Sequence, residues 1–226
     1  MVKCEYLEVD PQKSALLVID VQYSFCSDRH FEGRPDHEQM AFHVRGALNG
    51  RNDTAIIRET VEEHIAPFVE RARQAGLPIG FVQSCYNSGQ FAKDGFGPGL
   101  KYPDICVPGT PGWEFYHILP NLDSPLEAVL TKWDHDLFEA GNNLDGFFQG
   151  KSQVVIVGLT TDNCVQATAY GAIRNSIKPI VLKDGVSTSG HKMKVHYQTL
   201  KNLSSGPLVA VADSKDIYFS GSPRIK

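Results

Sequence analysis

With 226 residues, 42% of them hydrophobic and 21% charged, the chain can bury a sizeable core in a single domain spanning 1–226. A formal net charge of -4 argues against a nucleic-acid partner. No apolar run approaches the roughly 20 residues of a membrane span, and Met1-Val2-Lys3-Cys4-Glu5-Tyr6 lacks the apolar core of a secretion signal. A cytoplasmic protein without membrane contact is expected, and its five cysteines, at 4, 26, 85, 106 and 164, read as thiols because no CxxC pair occurs.

The elements follow in chain order. Ser14-Ala15-Leu16-Leu17-Val18-Ile19-Asp20 is an apolar run closed by a carboxylate, the pattern of a strand buried on both faces. Residues 54–75 repeat Ile57, Val61, Ile65, Phe68, Val69 and Ala72 at helical spacing and stop at Gly76. Further strands are expected at 77–82, 126–131, 154–157, 179–182 and 207–211, with helices near 138–148, 162–176 and 190–203. This alternation predicts a doubly wound α/β fold, a Rossmann-like three-layer α/β/α sandwich around a mainly parallel six-stranded sheet. Two long segments, 26–53 and 84–125, interrupt the rhythm, and loops of that length are commonly functional or subunit-contacting.

In such sheets ligands bind beyond the carboxyl ends of the strands. Asp20 closes the first strand, Lys132 follows the third, and Cys164 follows the fourth, at the first turn of a helix that Thr161 or Asp162 could cap. A thiol at a helix N-terminus beside an ammonium should ionise more easily, giving a thiolate nucleophile. Each residue also has an ordinary structural reading: a buried small side chain, a loop cap, a solvated surface charge. The run Lys132-Trp133-Asp134-His135-Asp136 suggests a metal cluster, but Asp134, His135 and Asp136 are consecutive and cannot all face one ion from a regular element.

The ordered motifs change the weighting. Leu17-Val18-Ile19-Asp20-Val21-Gln22 with Phe25, Gly109-Thr110-Pro111-Gly112-Trp113-Glu114, Lys132 with Phe138 and Leu144, Gly158-Leu159-Thr160-Thr161-Asp162-Asn163-Cys164-Val165, and Asp184-Gly185 span nearly the whole chain. Together they resemble the isochorismatase-like superfamily of cysteine hydrolases. The resemblance implies a catalytic triad of Asp20, Lys132 and Cys164. It also implies a cis Leu159–Thr160 bond that turns the amides of Thr160 and Cys164 into an oxyanion hole. Asp20 would take the thiol proton, return it to the leaving amine and then activate water against the thioester. Gln22, Phe25, Trp113 and Asn163 are the expected substrate neighbours.

Metal-dependent nicotinamidases of that superfamily carry an Asp-x-His pair where this chain reads Ser84-Cys85-Tyr86-Asn87, so neither a metal nor another cofactor is expected. Isochorismatases proper cleave a vinyl ether without a thiol. Cys164 therefore favours hydrolysis of a C–N bond in a small amide, ureide or carbamoyl compound. Vinyl ether hydrolysis and a catalytically idle binding scaffold are the alternatives, and a nucleotide-binding dehydrogenase is set aside because no G-x-G-x-x-G turn follows the first strand. By analogy with the superfamily a homo-oligomer is expected.

Overall fold

Strand β2 (Ser14–Ile19) is buried along its whole length. Its side chains alternate, Leu16 and Val18 joining one apolar cluster and Leu17 and Ile19 another. A fully buried Leu or Ile contributes roughly 1.5–3 kcal/mol, so a one-residue slip of this strand would exchange its two faces at large cost. That constraint fixes where Asp20 emerges. The structure, a computed structural model, describes residues 6–26, 54–85, 106, 108, 109, 111–139 and 144–221.

Besides β2, the sheet contains β3 (Ile79–Ser84), β4 (Glu127–Lys132), β5 (Gln153–Leu159), β6 (Lys178–Ser187) and β7 (Ala210–Ala212). Their order is β4-β3-β2-β5-β6-β7, and every pairing is parallel, a stricter result than the mainly parallel sheet expected from sequence. A second sheet pairs β1 (Leu7–Val9) with β8 (Ile217–Phe219), joining residues near the two ends of the described chain. Each of these strands is only three residues long, too short for periodicity to reveal.

Helix α1 is the single turn Tyr23–Cys26. Helix α2 runs through Ala55–Thr60, Val61–Ile65 and Ala66–Gln74, and its middle portion is a π turn in which the Ala66 amide reaches back to Val61 O. Pro67 has no amide to continue the α ladder, which accounts for the local widening. The buried face of α2 packs on the cluster around Leu16 and Val18. On the opposite face, α3 (Asp145–Phe148), α4 (Thr161–Val165 continuing as Gln166–Arg174) and α5 (Met193–Ser204) pack around Leu17 and Ile19.

The helix expected at 138–148 is a correction, because among the described residues only Asp145–Phe148 is helical. The chain instead turns at Asp136, whose carboxylate accepts the Phe138 amide at 2.9 Å and pairs with Arg174 of α4. Most of the two long segments, 27–53 and 86–105, lies outside the described residues.

Candidate active site

Strands β2 and β5 are neighbours, and the chain continues from them on opposite sides, to β3 and to β6, so the crevice of the doubly wound sheet opens at their carboxyl ends. Asp20 leaves β2 in the left-handed region, φ 53°, which Asp tolerates better than most residues. Its amide donates to Val82 O at 3.0 Å and its carbonyl accepts Gln22 N at 2.8 Å, closing a tight turn. Opposite it, Gly158 pairs with Ile19 at φ 118°, and a Cβ on Gly158 would collide with the Ile19 backbone. Only glycine lets β5 come this close to the base of Asp20.

Lys132 reaches the crevice from β4, two strands away from β2. Its backbone is the register partner of Ser84, and its ammonium donates to Ser84 Oγ at 2.7 Å, to Asp134 O at 3.0 Å and to Cys164 Sγ at 3.2 Å. Asp20 Oδ2 lies 2.9 Å from the same nitrogen, and both side chains are 0% exposed. The solvated-charge reading of Lys132 is thereby overturned. The ion pair compensates the charge of this carboxylate while leaving it able to accept a proton.

Cys164 lies within the first turn of α4, a π turn rather than an α turn. The N-cap is Thr160, in extended conformation and without a side-chain cap bond. The expected caps are used elsewhere: Thr161 Oγ1 pairs with His196 Nδ1 at 2.8 Å, while Asp162 accepts Thr188 Oγ1 at 2.9 Å and Lys192 Nζ at 3.0 Å. The Leu159–Thr160 peptide bond is cis. Thr160 O accepts the amides of Asn163 and Val165, at 3.1 and 3.2 Å, on either side of the Cys164 amide.

The thiol departs from the sequence reading. Burial and then the Asp20 charge push its pKa up to about 12, outweighing the lowering by Lys132. That direction favours the neutral thiol over the thiolate at rest. Removal of an anion's hydration costs more here than one ammonium returns, a balance that depends on burial and is invisible in the local sequence.

Of the four expected substrate neighbours, Gln22 acts as a clamp. Its Nε2 donates to Trp113 O at 2.8 Å and Ser84 O at 3.2 Å, and its Oε1 accepts Ser84 N at 2.9 Å. Gln83 Nε2 also donates to Trp113 O, at 2.9 Å. Trp113 is thus held by its carbonyl, while its indole N–H, shielded from solvent, has no partner among the described residues. Phe25 is buried in the core cluster with Val18 and Val21. Asn163 is half-buried and donates from Nδ2 to Thr160 Oγ1 at 3.3 Å.

Sequence reasoning missed Ser84, which supports Lys132, and set His135 aside with the metal cluster. In the structure Asp134, His135 and Asp136 diverge: the Asp134 carbonyl meets Lys132, His135 Nδ1 lies 3.5 Å from Cys164 Sγ, and Asp136 pairs with Arg174. Among the described residues no group of three His, Cys, Asp or Glu side chains could hold a metal ion. Tyr86 and Asn87, with which the metal reading was concerned, lie outside those residues. Cys26, Cys85, Cys106 and Cys164 are free thiols, and Cys4 is likewise outside them. No described helix is long and apolar enough to cross a membrane.

Comparison with known proteins comes down on the same segments. The model of the isochorismatase domain matches residues 14–216. A nicotinamidase/pyrazinamidase of Mycobacterium tuberculosis is 37% identical over 125 residues, 50% of this chain and 64% of that protein, so the match spans less than two thirds of that relative. The ureidoacrylate amidohydrolase RutB of Caulobacter segnis is 24% identical over 97% of this chain and 92% of its own length. Among solved structures, N-carbamoylsarcosine amidase from Thermoplasma acidophilum superposes with a TM-score of 0.60 at 24% identity, covering 89% of this chain and 96% of that one. Nicotinamidase/pyrazinamidase PncA from Bacillus subtilis gives 0.66 at 20% identity, covering 89% and 100%. At such identities the two structures speak for a shared fold.

Proposed function

The chain belongs to the isochorismatase family, and from that membership and the geometry of the crevice we propose that it is a cysteine hydrolase acting on the C–N bond of a small amide, ureide or carbamoyl compound. The observation that carries this reading is the contact of three buried groups, with Lys132 Nζ 2.9 Å from Asp20 Oδ2 and 3.2 Å from Cys164 Sγ. Relatives named as a nicotinamidase, a ureidoacrylate amidohydrolase and an N-carbamoylsarcosine amidase support a C–N bond as the target.

The chemistry begins from a neutral thiol, so its proton leaves as Sγ attacks the carbonyl carbon, and Asp20 receives it. Lys132 compensates the charge on sulfur during the transfer. The carbonyl oxygen, becoming an oxyanion, takes the amides of Thr160 and Cys164. Collapse breaks the C–N bond, Asp20 returns the proton to the departing nitrogen, and an acyl thioester remains on Sγ. Water then cleaves the thioester to the acid and regenerates the thiol.

Cys164→Ala is the direct test, measured by ammonia release across simple amides, ureides and carbamoyl amino acids. Hydrolysis should disappear while the unfolding temperature stays near that of the parent. Turnover that survives the substitution would remove the thioester and favour vinyl ether cleavage instead.

A further inference from the structure

The thiol has two kinds of neighbour. Towards the sheet it meets Lys132 and Asp20, both at 0% exposure, and Cys164 itself is 3% exposed. It also meets the half-buried imidazole of His135, with Nδ1 3.5 Å from Sγ. The backbone of His135 is anchored, because its amide donates to Asp134 Oδ1 and its carbonyl accepts Thr168 Oγ1 at 3.4 Å. The same hydroxyl accepts the Leu137 amide at 3.3 Å, tying the turn to α4.

This asymmetry bears on the second half of the reaction proposed above. Once the amine has left, Asp20 is again a carboxylate, but it is fully buried against Lys132. Of the two bases in this crevice His135 is the more exposed, half-buried where Asp20 is at 0%.

Resting on the thioester reading, we infer that His135 is the general base of deacylation. Its neutral ring takes a proton from the water whose oxygen bonds to the thioester carbon. As the C–S bond breaks and its electron pair stays on sulfur, the imidazolium returns that proton to Sγ, leaving a free acid and the original thiol. Asp20 serves acylation and His135 serves hydrolysis. The groups around the ring keep it in the basic form: burial first, then Lys132, lower its pKa, against the opposite pull of Asp134, Asp20 and Asp162.

p-Nitrophenyl acetate tests the inference without knowledge of the natural substrate, because it acetylates a competent thiol and releases nitrophenolate at the first step. His135→Gln should give a burst of about one nitrophenolate per chain at the parental rate. Its steady rate should then be lower by on the order of 10²–10³, as expected for loss of a general base. Mass spectrometry should find one acetyl group trapped on Cys164, and added imidazole should speed the slow phase but not the burst. A steady rate within a few-fold of the parent, or a slowed burst with no trapped acetyl, overturns the inference. Failure of the underlying reading looks different: the parent, quenched rapidly, would carry no acetyl on Cys164 at all. A measurement free of substitution stands beside these. In the parent, deacetylation of preformed acetyl-Cys164 should rise with pH through one ionisation below the ordinary His value, and a flat profile between about pH 5 and 8 would overturn the assignment.

Discussion

Lys132 Nζ and Asp20 Oδ2 are 2.9 Å apart, and neither side chain has any contact with solvent. Removing one member of a buried pair strands the other charge, at about 3–5 kcal/mol. Lys132→Met should therefore lower the unfolding free energy by that amount and abolish hydrolysis. The double substitution Asp20→Asn with Lys132→Met should recover more than half of the lost stability but none of the activity. Urea unfolding of the three variants provides the check, and a Lys132→Met protein as stable as the parent would mean that the ammonium does not compensate Asp20.

The neutral thiol makes a second expectation about pH. Alkylation follows the thiolate, so with a pKa pushed up to about 12 the rate at Cys164 should still be climbing at a pH where an ordinary cysteine has levelled off. The two neighbours act in opposite directions, since Asp20 raises the value and Lys132 lowers it. Asp20→Asn should move the alkylation curve to lower pH and Lys132→Met to higher pH, in a background where the other four cysteines are replaced. Two shifts of the same sign would contradict the arrangement.

Gly158 offers a test of close approach. Its φ of 118° and the collision of a Cβ with the Ile19 backbone both oppose any side chain there. Gly158→Ala should cost at least about 2 kcal/mol, at the upper part of the range for a strained backbone position. Because β5 would be pushed from the strand that carries Asp20, kcat should fall further than the loss of folded protein explains. Thermal unfolding and active-site titration separate the two effects.

His196 supplies a dependence of stability on acid. It is buried against Thr161, and desolvation lowers its pKa despite an opposing pull from Asp162. A histidine with a depressed folded pKa takes up its proton more readily when unfolded. Stability is thus intact above about pH 6.5 and declines as the pH falls below it. His196→Asn, which can keep the bond to Thr161 but cannot titrate, should lessen the decline between about pH 6.5 and 5. Equal slopes in urea unfolding would exclude His196 as a contributor. Asp162, held below the usual carboxylate range by Lys192 and Thr188 against its own desolvation, adds a separate loss at still lower pH.

How far the sequence anticipates this molecule depends on whether the governing force is local. The run from Ser14 to Asp20 carries its own burial pattern, and six of the eight strands and the positions of Asp20, Lys132 and Cys164 follow from such runs and the motifs beside them. The pairing of Leu7–Val9 with Ile217–Phe219 depends on residues about 210 positions apart and on strands with too few residues for a period to show. The thiol pKa was expected in the wrong direction because the helix end and the ammonium are visible in sequence, whereas the complete desolvation of Cys164 is not. His135 was passed over because its importance comes from Thr168 and Cys164 on another element, not from the acidic residues beside it.

Strand β4, which delivers Lys132, is the outer strand of the sheet and is paired on one side only. Val129 in its middle and Leu126 just before it remain substantially exposed. Outer strands fray at a lower free energy than the centre of a sheet, so the ammonium is mounted on one of the first parts of the sheet to open. The enzyme should then carry its own fuse. Under mild denaturant or heat, detachment of β4 would withdraw the charge from the crevice and silence the reaction while β2, β5 and the apolar clusters around them are still folded. Loss of activity should precede the change in circular dichroism and coincide with amide hydrogen exchange in Glu127–Lys132.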